Sequence, residues 1–259
     1  MPVENTYHGS ALIYRLLSGY PAERLVILES NLQPSKPERR VPNVSYHRVR
    51  MGSARLQHTR LHRYYNAALF LRAAFGSMAA VAAVLNAFRP EAILTVTHGQ
   101  LWLQAARYAR RNQLPLHLIH HDDWPSVAGL PAVFAGLLNR RFGEVYRQAA
   151  SRACVSPHME QEYRRRYHAA GMVSYPSRAA HQEPPSQITV RDSRQMTVAF
   201  AGTINTGGYV QLLRELAVQL QAIGGTLLIF GPESPVTATA SGLDLGNIKL
   251  KNPSRIRSP

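Results

Sequence analysis

Short apolar runs and longer amphipathic stretches take turns along most of this chain. The runs Arg24–Glu29, Val44–Arg50, Ala92–Thr97, Leu114–His120, Arg152–Val155 and Val173–Tyr175 are rich in valine, isoleucine and leucine and do not alternate cleanly with polar residues. That pattern predicts strands covered on both faces. Helical spacing is found at Ser10–Ser18, Leu61–Ala87, Leu101–Arg111, Val133–Ala149 and Pro157–Tyr167. The last of these opens on Ser156 and Pro157, a capping hydroxyl followed by a proline in the first turn. Strands and helices in alternation predict an α/β fold with one parallel, doubly wound sheet from Arg24 to Tyr175.

The pattern then lapses. Ser177–Arg194 has few apolar residues and contains Pro184-Pro185, which reads as a linker. A second α/β rhythm follows: strand Met196–Ala201, a loop of small residues Gly202–Gly208, helix Tyr209–Ile223, strand Thr226–Phe230, and a further strand at Asn247–Lys251. The expected division is a Rossmann-like domain over residues 1–178, a linker over 179–195 and a second domain over 196–259. Both domains look incomplete. A doubly wound sheet places its first strand centrally, before a glycine turn into the first helix, yet Met1–Tyr7 is a poor strand. The second domain has two or three strands where about six are usual.

Composition narrows the picture modestly. No apolar run reaches the roughly 18 residues that cross a bilayer, and Ala67–Phe88 is interrupted by Arg72, Ser77 and Asn86. The start lacks the basic and apolar segments of a signal peptide. The one cysteine, Cys154, sits in an apolar run and reads as a small core residue; a chain that can form no internal disulfide suits a reducing cytoplasm. The formal net charge is +15, carried almost wholly by arginine. Such a surface attracts phosphorylated ligands, lipid headgroups or nucleic acid, although scattered arginines also read as a plain solvated face.

The densest chemistry is His120-His121-Asp122-Asp123-Trp124-Pro125, directly after an expected strand. Ligands of open α/β sheets bind beyond the carboxyl ends of the strands, so two imidazoles and two carboxylates are placed at that crevice. Carboxylates there can accept hydrogen bonds from sugar hydroxyls, and an imidazole can take a proton. The plainer alternative is a turn capped by Asp122 or Asp123 with Trp124 packed beneath. Adjacent side chains on an extended backbone point opposite ways, which argues against a metal site. His98-Gly99 ends the preceding strand and should face the same crevice; a simple helix-entry turn is the equal alternative. Gly9 and Ser10 open the first helix, where backbone amides can hold a diphosphate. Gly202, Thr203, Gly207 and Gly208 lie in a strand-loop-helix turn of the same kind, without the lysine of a P-loop.

In order along the chain, His8–Val26, His121–Pro125, Cys154–Tyr163, Tyr175–Arg178 and Gly202–Tyr209 with Gly231-Pro232 resemble bacterial GT-B glycosyltransferases of the large "group 1" class. The resemblance implies two Rossmann-like domains, a nucleotide-sugar donor held by the second, a glycan or lipid-linked acceptor presented by the first, and no cofactor or metal. It implies catalytic roles for His121, Asp122 and Asp123, with His98 and His120 in the cleft. Gly9, Ser10, Gly202, Thr203, Gly207 and Gly208 would then lie near the donor. A cytoplasmic enzyme with a peripheral contact at the inner membrane is expected, and no nucleic-acid partner. The family's basic pair for the diphosphate and its Glu-x7-Glu segment have no counterpart here. The competing expectation is therefore a non-catalytic, truncated remnant, and a nucleic-acid binder driven by charge is a third alternative without a recognition motif.

Overall fold

The computed structural model describes residues 2–6, 8–176, 196–202, 204, 207–231 and 242–251. The chain divides into two compact units, Met1–Glu183 and Pro184–Pro259. The expected linker, residues 179–195, lies outside the described residues, as does Thr203.

Unit one contains six strands: β1 (Val26–Ser30), β2 (Ser45–Val49), β3 (Ile93–Val96), β4 (Leu116–His120), β5 (Ser151–Cys154) and β6 (Met172–Val173). All pairings are parallel, as buried, branched runs joined through helices require. They do not form one sheet. β1 and β2 pair with each other, and β3-β4-β5-β6 form a separate four-stranded sheet. The single sheet from Arg24 to Tyr175 is thus corrected to two. β1 carries no ladder to β3, although the two strands flank one cavity of about 470 Å³ along their whole lengths.

The helices are α1 (His8–Leu17), α2 (His62–Phe75), α3 (Ala79–Phe88), α4 (Leu101–Arg111), α5 (Trp124–Val127), α6 (Ala132–Gln148) and α7 (Pro157–Tyr167). The one long helix expected over Leu61–Ala87 is two, bent by 48°. It breaks at Gly76-Ser77-Met78, where Gly76 leaves the helical region at ψ −174°. No single described helix is long and apolar enough to cross a membrane. At α7 the cap forms as the sequence suggests: the Ser156 hydroxyl accepts from the Met159 amide at 3.2 Å. The carboxyl end of α6 is held differently. Arg152 of β5 donates to the carbonyls of Tyr146, Arg147 and Ala149, satisfying acceptors that a helix end leaves open.

The core of unit one lies around the four-stranded sheet. Trp102, Leu118, Leu138, Phe142, Tyr146, Cys154 and Tyr163 are almost wholly buried there. Rings of Phe142, Tyr146, Tyr163 and Tyr167 meet edge-on or tilted at 5.4 Å, except that Phe142 and Tyr146 stack at 6.3 Å, geometries that aromatic quadrupoles favour. Burial raises the Cys154 thiol to about 11, so it is a protonated core group.

Unit two has a three-stranded parallel sheet in the order β7-β8-β9: β7 (Thr197–Ala201), β8 (Thr226–Phe230) and β9 (Ile248–Lys251). Helix α8 (Gly207–Ala222) covers it through Leu213, Ala217 and Leu220, spaced for one helical face.

Candidate active site

Strands β3 and β4 are neighbours in register, with Val96 opposite Ile119, so the turns that follow them lie side by side. The first turn is His98-Gly99-Gln100. The His98 amide bonds back to the Val96 carbonyl at 2.8 Å, and Gly99 takes φ +70°, which only glycine adopts without strain. Trp102 of α4 donates its indole N–H to the Gly99 carbonyl at 3.0 Å, which fixes the turn from below. The second turn is His121-Asp122-Asp123, leading into the short helix α5.

The two turns meet through side chains. His98 Nδ1 lies 3.5 Å from Asp122 Oδ2, and the His98 ring packs on Trp124 with centroids 4.7 Å apart. Burial holds the imidazole of His98 below its ordinary pKa, against the opposing pull of Asp122. His121 is likewise held low by burial, with His98 adding to the effect and Asp122 opposing it. Both rings are thus biased toward the neutral form. Three polar atoms in these turns are buried without a hydrogen-bond partner among the described residues: Gln100 Oε1, His121 Nε2 and Trp124 Nε1. Such groups cost free energy unless something meets them, and here they belong to the two turns that follow β3 and β4. His98, Gly99, Gln100 and Trp124 also line the cavity between β1 and β3.

Two residues expected in the crevice are placed elsewhere in function. His120 is fully buried and points into the aromatic core, its Nδ1 2.7 Å from Thr97 Oγ1 and its ring 5.2–5.5 Å from those of Phe142, Tyr146 and Tyr163. It is the last residue of β4, and the alternation of the strand sends it to the face opposite its neighbours. Burial drives its pKa down to about 3. Asp123 is already engaged: Arg166 reaches it at 2.9 Å, the Tyr163 hydroxyl at 3.2 Å and the Ser126 hydroxyl at 2.6 Å. Its carboxylate ties α5 to α7 through side chains and caps no amide of α5, and Arg166 is not part of a plain solvated face. Asp122, by contrast, leaves more than half of its side chain exposed.

The remaining expected residues lie at helix starts. Gly9 and Ser10 form the first turn of α1, with Ser10 buried, and Ile13 and Leu17 of that helix line the cavity. Gly202 follows β7 and donates its amide to the Phe230 carbonyl at 3.0 Å, while Gly207 and Gly208 open α8 on an exposed surface. Sequence reasoning missed Gln100 and Trp124 as site residues. The signal was available, because Gln100 follows the His98-Gly99 turn and Trp124 sits inside the acidic motif. It also missed Glu29, at 2% exposure the most buried carboxylate among the described residues, which accepts from the Ser35 amide at 3.0 Å and from Arg40 at 2.9 Å and so pins the connection between β1 and β2.

No protein-family model and no curated protein sequence matches this chain. Solved structures do. The chain aligns with apo UGT2 of Phytolacca americana over 97% of its own length and 71% of that chain, with 12% identity and a TM-score of 0.53. It also aligns with S. aureus MnaA, solved with UDP, at 10% identity and a TM-score of 0.44 over 88% of this chain and 68% of that one. A Listeria monocytogenes protein provisionally named a UDP-N-acetylglucosamine 2-epimerase matches at 13% identity and a TM-score of 0.44, over 81% of this chain. This chain spans 56% of that protein's length. The likeness to UGT2 is one of fold: two Rossmann-like units with parallel sheets, the GT-B type.

Proposed function

We propose that the chain is a glycosyltransferase that moves a sugar from a nucleotide-diphosphate donor to an acceptor hydroxyl, with the β3 and β4 turns as its reacting edge. The observation that carries this reading is the pairing of His98 with Asp122 beside three buried, partnerless polar atoms. A neutral imidazole whose Nδ1 faces a carboxylate leaves Nε2 free to take a proton, and the carboxylate steadies the imidazolium that results. In transfer, the acceptor oxygen bonds to the anomeric carbon as the diphosphate oxygen leaves with its electron pair. The acceptor proton passes to His98. Asp122 is the orienting carboxylate, and His121 and Gln100 are the hydrogen-bonding groups for sugar hydroxyls. These assignments keep two of the three residues expected as catalytic and release Asp123.

Gly9 and Ser10 at the start of α1, and separately the start of α8, are each proposed as anion-holding helix starts, because helix amides are suited to anions. A glycan or lipid-linked acceptor and a cytoplasmic setting at the membrane surface agree with the single cysteine and the charge of +15. The reading is tested with titration calorimetry against UDP, GDP and their sugar conjugates, followed by an assay for nucleotide release. Nucleotide release that disappears in His98→Ala and Asp122→Asn supports it. Absence of binding to every nucleotide and conjugate in a folded, cooperatively melting sample overturns it.

A further inference from the structure

Apolar side chains gather on one exposed face of unit one. Helix α2 buries Ala67, Phe70 and Ala73 in the core, as one side of a surface helix should. Its outward side, where polar residues belong, carries Tyr64 at 67% exposure, Ala68 exposed, Leu71 half-buried and Phe75 at 53%, spaced i, i+4, i+7 and i+11. Leu61, just ahead of the helix, is 65% exposed. Helix α6 lies beside it. Arg63 donates to the Leu130 carbonyl at 3.1 Å and Asn66 to that of Ala128 at 3.4 Å, while the Arg141 guanidinium sits 5.0 Å from the centre of the Phe75 ring. These contacts lay α2 along the first half of α6, where Val133 is 80% exposed, and close to Val127 at the end of α5.

The charged residues among these apolar ones are basic. The sequence has no aspartate or glutamate between Glu38 and Glu91, and none between Asp123 and Glu144. Arg55, Arg60 and Arg63 are exposed around Leu61, and none of the three meets a carboxylate among the described residues. Glu144 is already taken up by Arg140 and Arg141. Exposed aliphatic tips ringed by free guanidinium groups match the two layers of an anionic bilayer surface, phosphates outside and acyl chains beneath. A nucleic acid would satisfy the arginines, but Leu61, Val127 and Val133 have no ring to stack on a base and would stay in water. A second copy would set arginine against arginine. By length and composition α2 and α3 together could pass for a bent membrane span, but the inner side of α2 belongs to the core, so it can lie on a bilayer and not cross it.

We infer that this face is the surface on which the protein rests against a bilayer containing anionic phospholipid. Leu61, Tyr64, Val127 and Val133 enter the headgroup layer, and Arg55 and Arg60 meet lipid phosphates. The inference deepens the membrane setting of the function proposed above and rests on no step of the transfer reaction. Val127 closes the same short helix whose Trp124 packs on His98, so a bilayer docked here borders the His98–Asp122 turns.

The test is co-sedimentation of the full chain with vesicles of phosphatidylcholine alone and of phosphatidylcholine mixed with phosphatidylglycerol. Binding to the mixed vesicles only is expected. It should weaken about tenfold or more in Arg55→Glu with Arg60→Glu, and equally in Leu61→Ser with Val133→Ser. Leu212→Ser, at a comparably exposed leucine of α8, should leave it unchanged. All these positions are exposed, so the thermal transition should hold in every variant. Tyr64→Trp gives a second readout: its emission should shift to the blue, and brominated lipid should quench it, only when phosphatidylglycerol is present. Failure to bind either vesicle, equal binding to both, or binding that the double variants do not weaken overturns the inference. So does duplex DNA that displaces the vesicles and loses affinity in the arginine variant alone, or a dimer in sedimentation velocity that Val133→Ser dissolves. Vesicle binding is measured without a nucleotide, so its failure is distinguishable from failure of the proposed reaction.

Discussion

The sheet β3–β6 has two contrasting flanks. Toward β5, β4 and its neighbours are packed by Phe142, Tyr146, Tyr163 and Tyr167, with His120 enclosed among the rings. Toward β1, the edge of β3 opens on the cavity, and Leu94 is 42% exposed. Consecutive residues differ in the same way: His120 is enclosed among the rings, whereas His121, in the turn after β4, is not. One flank has surrendered its chemistry to packing. The other retains neutral imidazoles, an exposed carboxylate and unpaired polar atoms, which is where ligand binding can gain free energy. The contrast divides a motif of four titratable residues into packed or ion-paired members, His120 and Asp123, and members in the turns beside His98, His121 and Asp122, to which the proposed function assigns chemistry.

The strongest way to break the comparison is to open the packed flank. Tyr163→Ala should cost about 3–5 kcal/mol in denaturant unfolding, from lost ring burial and from releasing Asp123. Tyr163→Phe should cost about 1 kcal/mol, because Arg166 and Ser126 still hold that carboxylate.

Acid should attack the same flank next. The folded pKa of His120 is about 3 against 6.5 for the free group, so the unfolded chain binds the extra proton between these values. Stability from this group is complete above pH 6.5 and is lost as pH falls toward 3, a loss on the order of a few kcal/mol. His120→Asn should flatten the slope of unfolding free energy against pH over that window.

The open flank should respond in activity and hardly in stability. His98→Ala is expected to lower nucleotide-sugar turnover about 10²- to 10⁴-fold while moving the unfolding free energy by under about 1 kcal/mol. Because burial lowers the pKa of His98, the acid limb of the turnover profile should lie below pH 6.5, the ordinary imidazole value. Asp122→Asn removes the carboxylate that favours the charged ring and should shift that limb lower still. A profile breaking above 6.5 would remove His98 from the proton-accepting role.

The smallest effect sharpens the comparison. Leu94→Ala, on the open edge, should cost under about 1 kcal/mol, whereas Leu118→Ala one strand away, at 1% exposure, should cost about 2–5 kcal/mol. Similar costs would mean that the β1 side is as well packed as the other.

Much of this protein was determined by local pattern. The strands fall within two or three residues of their expected limits, because branched apolar runs between glycine and polar breaks suit only a buried strand. Ser156 caps α7 because its hydroxyl is the nearest acceptor for an orphan amide. Tertiary structure decided the rest. Which histidine of His120-His121 faces the core follows from the phase of β4 against the helices that cover it, and a one-residue shift would exchange their roles. Asp123 and Arg166 are 43 residues apart and meet only because α7 packs beside the β4 turn. Gln100 and Trp124 became site residues when β3 and β4 brought their two turns together, and no local spacing encodes that meeting. The opening between β1 and β3 is of the same kind: backbone edges are alike for every residue, and only their position in space reveals which are left unpaired.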